Sequence, residues 1–181
     1  ALELEPDSAD HYLGKGRAEM GQEKHEQARQ SLRQATRIRP EDKEAQLLLG
    51  RACVELRMND EALAALNKSV QLDPQAAAPH ATLAQLYLAT AQTDRAVGEF
   101  KTASELDPND EPTLRAYAAL LTELARHAEA AAVYAQIAKL ASDDPEAQLA
   151  LGRAHAEAGA WAPAREAFLQ AQKGAPDRTD V

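Results

Sequence analysis

Glu44-Ala45-Gln46-Leu47-Leu48-Leu49-Gly50-Arg51-Ala52 has a near copy, Glu146-Ala147-Gln148-Leu149-Ala150-Leu151-Gly152-Arg153-Ala154, which begins 102 residues later, and 102 is three times 34. Gly-Arg-Ala also stands at Gly16-Arg17-Ala18, 34 residues before Gly50. A fixed period of this size decides the fold before any single residue is interpreted, because it marks stacked copies of one supersecondary unit. Laid on that period, prolines fall at Pro6, Pro40, Pro74, Pro108 and Pro176, with Ser142 in the one missing place. A second column reads Ala28, Ala62, Ala96, Ala130, Ala164; a third Leu32, Leu66, Phe100, Tyr134, Phe168; a fourth Gly16, Gly50, Ala84, Ala118, Gly152. Three of these columns accept only small residues or almost only proline, so an alanine-rich composition does not produce them.

Each unit is expected to be two antiparallel helices. The spacing predicts helices at Ala9–Gln22, His25–Ile38, Lys43–Leu56, Asn59–Leu72, Ala77–Thr90, Thr93–Leu106, Glu111–Leu124, His127–Leu140, Pro145–Ala158 and Trp161–Lys173. Proline gives an independent check, since it breaks a helix interior but is tolerated in a first turn. Five of the nine prolines sit at unit junctions, and Pro79, Pro112, Pro145 and Pro163 fall in predicted first turns. The units run 9–42, 43–76, 77–110, 111–144 and 145–178, with 1–8 read as the end of a truncated preceding unit and 179–181 as a tail. Gly50 and Ala62 mark close helix approaches, which a larger side chain would overpack.

Leu49-Gly50, Leu83-Ala84 and Leu151-Gly152, followed by the alanine column, the Leu/Phe/Tyr column and proline, resemble the tetratricopeptide repeat, W-x2-L-G-x2-Y, A-x3-F, then P. The resemblance covers Ala9 to Arg178. The family's tryptophan place holds Tyr12, Gln46, His80, Leu114 and Gln148, and its tyrosine place Glu19, Cys53, Tyr87, Leu121 and His155, in keeping with an aromatic fraction of 4%. The fold it implies is all-α, a right-handed superhelical solenoid of antiparallel helix pairs. Its implied function is a non-enzymatic scaffold that holds a peptide or helix of a partner protein in a concave groove lined by the first helices.

Carried over column by column, the groove would be lined by Leu13, Leu47, Ala81, Arg115 and Leu149, then Arg17, Arg51, Gln85, Ala119 and Arg153, then Met20, Val54, Leu88, Thr122 and Ala156. An apolar strip set with arginines suits a partner with apolar anchors and carboxylates, which arginine holds in bidentate geometry. The arginines could instead pair along their own helices, Arg51 with Glu55 and Arg153 with Glu157, although Arg before Glu is the weaker order. The two-lysine, asparagine and arginine carboxylate clamp of chaperone-binding members is excluded: its places hold Leu13, Arg17, Leu48, Ala78 and Thr82.

A net charge of −9 argues against a nucleic-acid partner, which requires a basic footprint. No run approaches the roughly 18 apolar residues of a membrane span, and the lone Cys53 excludes an intrachain disulfide. Cys53 lies in a core column and reads as a small buried hydrophobe. His11, His25, His80, His127 and His155 do not converge on a metal site, and Asp143-Asp144 and Glu41-Asp42-Lys43-Glu44 suit helix N-termini better than calcium. No phosphate loop, catalytic triad spacing or glycine fingerprint is present, and no cofactor is implied. The sole tryptophan, Trp161, is expected to pack between the last two helices. Gln172 and Gly174 are expected to cap the array, whereas the opening Ala1 end is expected to be adhesive, giving an alternative function as a spacer that self-associates head to tail. The alanine-rich units with Leu-Asp-Pro junctions resemble bacterial secretion and envelope-assembly arrays.

Overall fold

The computed structural model describes residues 6–142 and 144–174. They form ten helices and, among the described residues, no strand: α1 Pro6–Gly21, α2 His25–Ile38, α3 Lys43–Glu55, α4 Asn59–Leu72, α5 Ala77–Ala89, α6 Thr93–Leu106, α7 Glu111–Glu123, α8 His127–Leu140, α9 Pro145–Glu157 and α10 Trp161–Gly174. The chain divides into two compact units, 1–106 and 107–181. In the first, α1 packs on α2, α3 on α4 and α5 on α6, while α2 meets α3 and α4 meets α5. In the second, α7 packs on α8, α8 on α9 and α9 on α10. This is the all-α solenoid of helix pairs that the period implies. α1 begins three residues ahead of the expected Ala9, with Pro6 in its first turn, where a missing N–H costs nothing. Residues 1–5, where the end of a truncated helix is expected, and the tail 179–181 lie outside the described residues.

The first helices of the four later pairs each stop one residue short of the predicted end, and the cause is local. Glu23, Arg57, Ala91, Ala125 and Gly159 all have φ between 55° and 73°, and they stand 34 residues apart. Each follows the helix end and closes it doubly: the N–H of Arg57 donates to the Val54 carbonyl at 3.0 Å and that of Met58 to the Cys53 carbonyl at 2.8 Å, and every pair repeats the pattern. This is a Schellman motif, which turns the chain back in two residues so that the next helix runs antiparallel. Only Gly159 suits the left-handed conformation; the other four residues carry a Cβ against it.

Helix starts follow the same period. Asp42 accepts hydrogen bonds from the N–H groups of Glu44 and Ala45 at 3.1 and 3.0 Å. Asp110 takes that of Thr113 at 3.4 Å, and Asp144 that of Glu146 at 2.9 Å. Ala76 holds the corresponding place before α5 with a similar extended backbone, φ −81° and ψ 119° against −81° and 101° at Asp42, but has no side-chain acceptor. Ala76→Asp is therefore expected to raise stability by about 1 kcal/mol. A higher urea midpoint at unchanged slope would register the gain.

Small columns set the helix spacing. A Cβ on Gly16 would fall 2.6 Å from Leu32 Cγ, one on Gly50 2.5 Å from Leu66 Cγ, and one on Gly152 2.5 Å from Phe168 Cε1. Leu32, Leu66, Phe100, Leu114, Leu121 and Ile137 fill the interior with at most 1% of their surface exposed. Cys53 is wholly enclosed among them, and burial pushes its thiol up to about 12, so it stays protonated and inert.

Candidate protein-interaction surface

Spacings of four and three residues put Leu13, Arg17 and Met20 on one face of α1, and Leu47, Arg51 and Val54 on the matching face of α3. α1 touches α3 and α3 touches α5 directly. Two side-chain bridges tie these faces together: Arg17 pairs with Glu44 on α3, and Arg51 Nε donates to Thr82 Oγ1 on α5 at 3.4 Å. Met20, Leu47 and Val54 are half-buried, while Gln85 and Leu88 on α5 are exposed. Leu13, by contrast, is 9% exposed and belongs to the packing of its pair.

In the second unit Arg115 is held at both ends, with Nε 2.7 Å from Glu111 Oε1 and its other arm 2.9 Å from Asp144 Oδ2. Burial pushes the Asp144 carboxyl up, but the Arg115 guanidinium and the Glu146 and Ala147 N–H groups outweigh it and hold it below the usual carboxylate range. Arg115 thus fastens α7 to the start of α9. Leu149 is 3% exposed, whereas Arg153 is exposed and, among the described residues, makes no ion pair.

Among the described residues Arg51 does not meet Glu55, nor Arg153 Glu157; Arg115 is the groove arginine that pairs along its own helix, with Glu111. Where the groove arginines have partners on another helix, those partners come from the next first helix or its cap, geometry that one helix's spacing does not contain. Glu44 stands on a neighbouring column expected to screen the groove, whereas Thr82 and Asp144 are the direct partners that sequence reasoning missed. Trp161 also departs from expectation. It is 72% exposed rather than packed between α9 and α10, whereas in its column Asn59 is exposed and His25, Thr93 and His127 are half-buried.

Among the described residues no group of His, Cys, Asp or Glu side chains could hold a metal ion, and no helix is long and apolar enough to cross a membrane. His80 Nδ1 instead lies 2.7 Å from Glu99 Oε2, a partly buried link between α5 and α6.

No curated protein sequence matches the chain. Among solved structures it is similar to the MamA protein, with a TM-score of 0.77 and 16% identity over 98% of this chain and 97% of that one. It is also similar to Pseudomonas aeruginosa pilF, with 0.72 and 18% over 95% and 78%. A third likeness is to YrrB, described as a TPR protein with an unusual peptide-binding site, with 0.69 and 18% over 92% and 86%. Family models for the tetratricopeptide repeat match residues 13–77 and 118–179 and residues 54–124. With helix pairs, glycine contacts and left-handed turns all recurring at the same pitch, the chain belongs to the tetratricopeptide repeat family.

Proposed function

We propose that the shared face of α1, α3 and α5 holds an extended or helical segment of another protein, and that the chain acts as a non-enzymatic scaffold in a larger bacterial assembly. The observation that carries this reading is the set of partly uncovered apolar side chains, Met20, Leu47, Val54 and Leu88, on adjoining helices around Arg51, whose one polar side-chain partner among the described residues is a long contact to Thr82. Apolar anchors of the partner would cover the first four, each contributing up to about 1.5–3 kcal/mol if fully enclosed. A carboxylate would replace the hydroxyl on Arg51, a stronger, charge-assisted bond. Arg17 is already neutralised by Glu44 and sets the edge of the site, and Gln85 adds a donor at the other. Leu13 supports the face from beneath. Arg115 and Arg153 would mark a like face in the second unit, with the buried Leu149 beneath it and Arg153 as its open cation.

The peptide-binding site in YrrB's description is support of the same kind. A photo-cross-linking residue placed at 47 or 88 is expected to capture the partner in the native cell extract, and the same residue at Asn67, exposed on α4, is not. Equal capture from both sides would defeat the assignment. The alternative, a spacer that self-associates through its ends, would give cross-links between copies of the chain from neither inner position.

A further inference from the structure

Ala45, Leu49 and Ala52 of α3, and Pro79, Leu83 and Leu86 of α5, are all buried. The same columns in α1 hold His11, Lys15 and Ala18, all exposed. Since α1 has no described helix before it, burial at these places comes from the second helix of the preceding pair. The reciprocal columns behave alike: Ala131 and Ala138 of α8 are buried and Arg29 and Thr36 of α2 half-buried, while Arg165 and Gln172 of α10 are exposed. The far side of α10 therefore has the form of a surface that elsewhere in this chain is covered by an α-helix.

That surface is apolar at its centre. Trp161, Leu169, Phe168, Ala164 and Ala156 line a cleft of about 280 Å³ with Arg165 and Gln172, and Trp161 and Leu169 are 72% and 45% exposed. Arg165 makes no ion pair among the described residues; its column otherwise holds Arg29, Leu63, Val97 and Ala131, and Arg29 meets Glu61 of the next second helix at 2.9 Å, so where this column carries a cation inside the array a carboxylate of the covering helix faces it. We infer that the α10 face docks an amphipathic α-helix of another protein, with small apolar residues over the cleft and a carboxylate opposite Arg165. This surface is separate from the inner face of α1, α3 and α5. A second copy fits poorly. Its α1 end would bring His11 and Lys15, without an apolar stripe, against Arg165 and Trp161, and two α10 ends placed face to face would oppose their arginines.

Trp161 is the only tryptophan, so intrinsic fluorescence reports on this cleft alone. The probes are two synthetic helical peptides of about 18 residues, each with a Leu/Ala stripe, one flanked by glutamates and the other by lysines. The glutamate peptide is expected to shift Trp161 emission to shorter wavelength saturably and to bind at least about tenfold more tightly than its lysine twin. Arg165→Glu should reverse that order, and Leu169→Asp, at an exposed position, should abolish the shift while the circular dichroism stays unchanged. Equal binding of both peptides, or of neither, overturns the proposal. So does an emission shift that develops with protein concentration alone, which would make a second copy the occupant. Emission already blue-shifted in dilute protein, and red-shifted on deletion of residues 175–181, would assign the cleft to the chain's own tail and overturn it as well.

Discussion

Gly50→Val is expected to lower stability by about 3 kcal/mol or more, a large part of the 5–15 kcal/mol that a domain ordinarily has. The first added atom would already lie 2.5 Å from Leu66 Cγ and 2.6 Å from its Cδ2, with the Ala62 carbonyl 3.5 Å away. Leu66 cannot retreat, because it is fully buried, so α3 and α4 must separate along the contact that defines the pair. Helix propensity pulls the other way: a non-glycine residue in a helix interior gains up to about 1 kcal/mol. Gly14→Ala isolates that gain, since nothing lies within 4 Å of its added Cβ, and it is expected to stabilise. Gly50→Ala is expected to destabilise, the same chemical change giving opposite signs at two places in one repeat class. Urea denaturation of both variants decides the matter, and Gly50→Ala at or above the wild-type midpoint would refute the packing account. Combining Gly50→Ala with Leu66→Ala should recover part of the loss, a coupling that distant sites do not show.

Gly50 was legible in the sequence because a column that admits only glycine or alanine can mean only a close approach. The prolines were legible for the same reason: a residue with one tolerated location fixes the element around it. The left-handed turns were not, although they recur as strictly. Glu23, Arg57, Ala91 and Ala125 hide the conformation that Gly159 alone announces, because about 1–2 kcal/mol of backbone strain is small beside the packing it permits. The arginines mark a second limit. Period places Arg17 and Arg51 on a face, but Glu44 and Thr82 reach them across helix contacts whose spacing depends on side chains elsewhere. Trp161 was misjudged for a different reason. Its column is mixed, with Asn59 exposed and His25, Thr93 and His127 half-buried, so the period alone does not fix which way the first side chain of α10 faces.

Replacing Leu47 with serine and Arg51 with glutamate together is expected to weaken partner binding by about 3–5 kcal/mol, or roughly a hundredfold to several thousandfold. Leu47 is half-buried and Arg51 exposed, so the change removes an apolar anchor from the middle of the face and reverses the charge meant for the partner's carboxylate. The fold is expected to survive, since among the described residues Arg51 has only a 3.4 Å contact with Thr82 to lose and Leu47 leaves the Gly50 and Leu66 contact untouched. Arg17→Glu separates the two contributions. It sets a glutamate beside Glu44 in place of an exposed ion pair, which for such pairs changes stability by about 1 kcal/mol or less, and it leaves Leu47 and Arg51 intact. Its effect on binding should accordingly be small beside that of the double variant. Titration of each variant against the cross-linked partner, with circular dichroism to confirm equal helix content, gives the comparison. A double variant that binds as tightly as the wild type would move recognition off this face, and one that loses binding only together with its helix content would make Leu47 a structural residue.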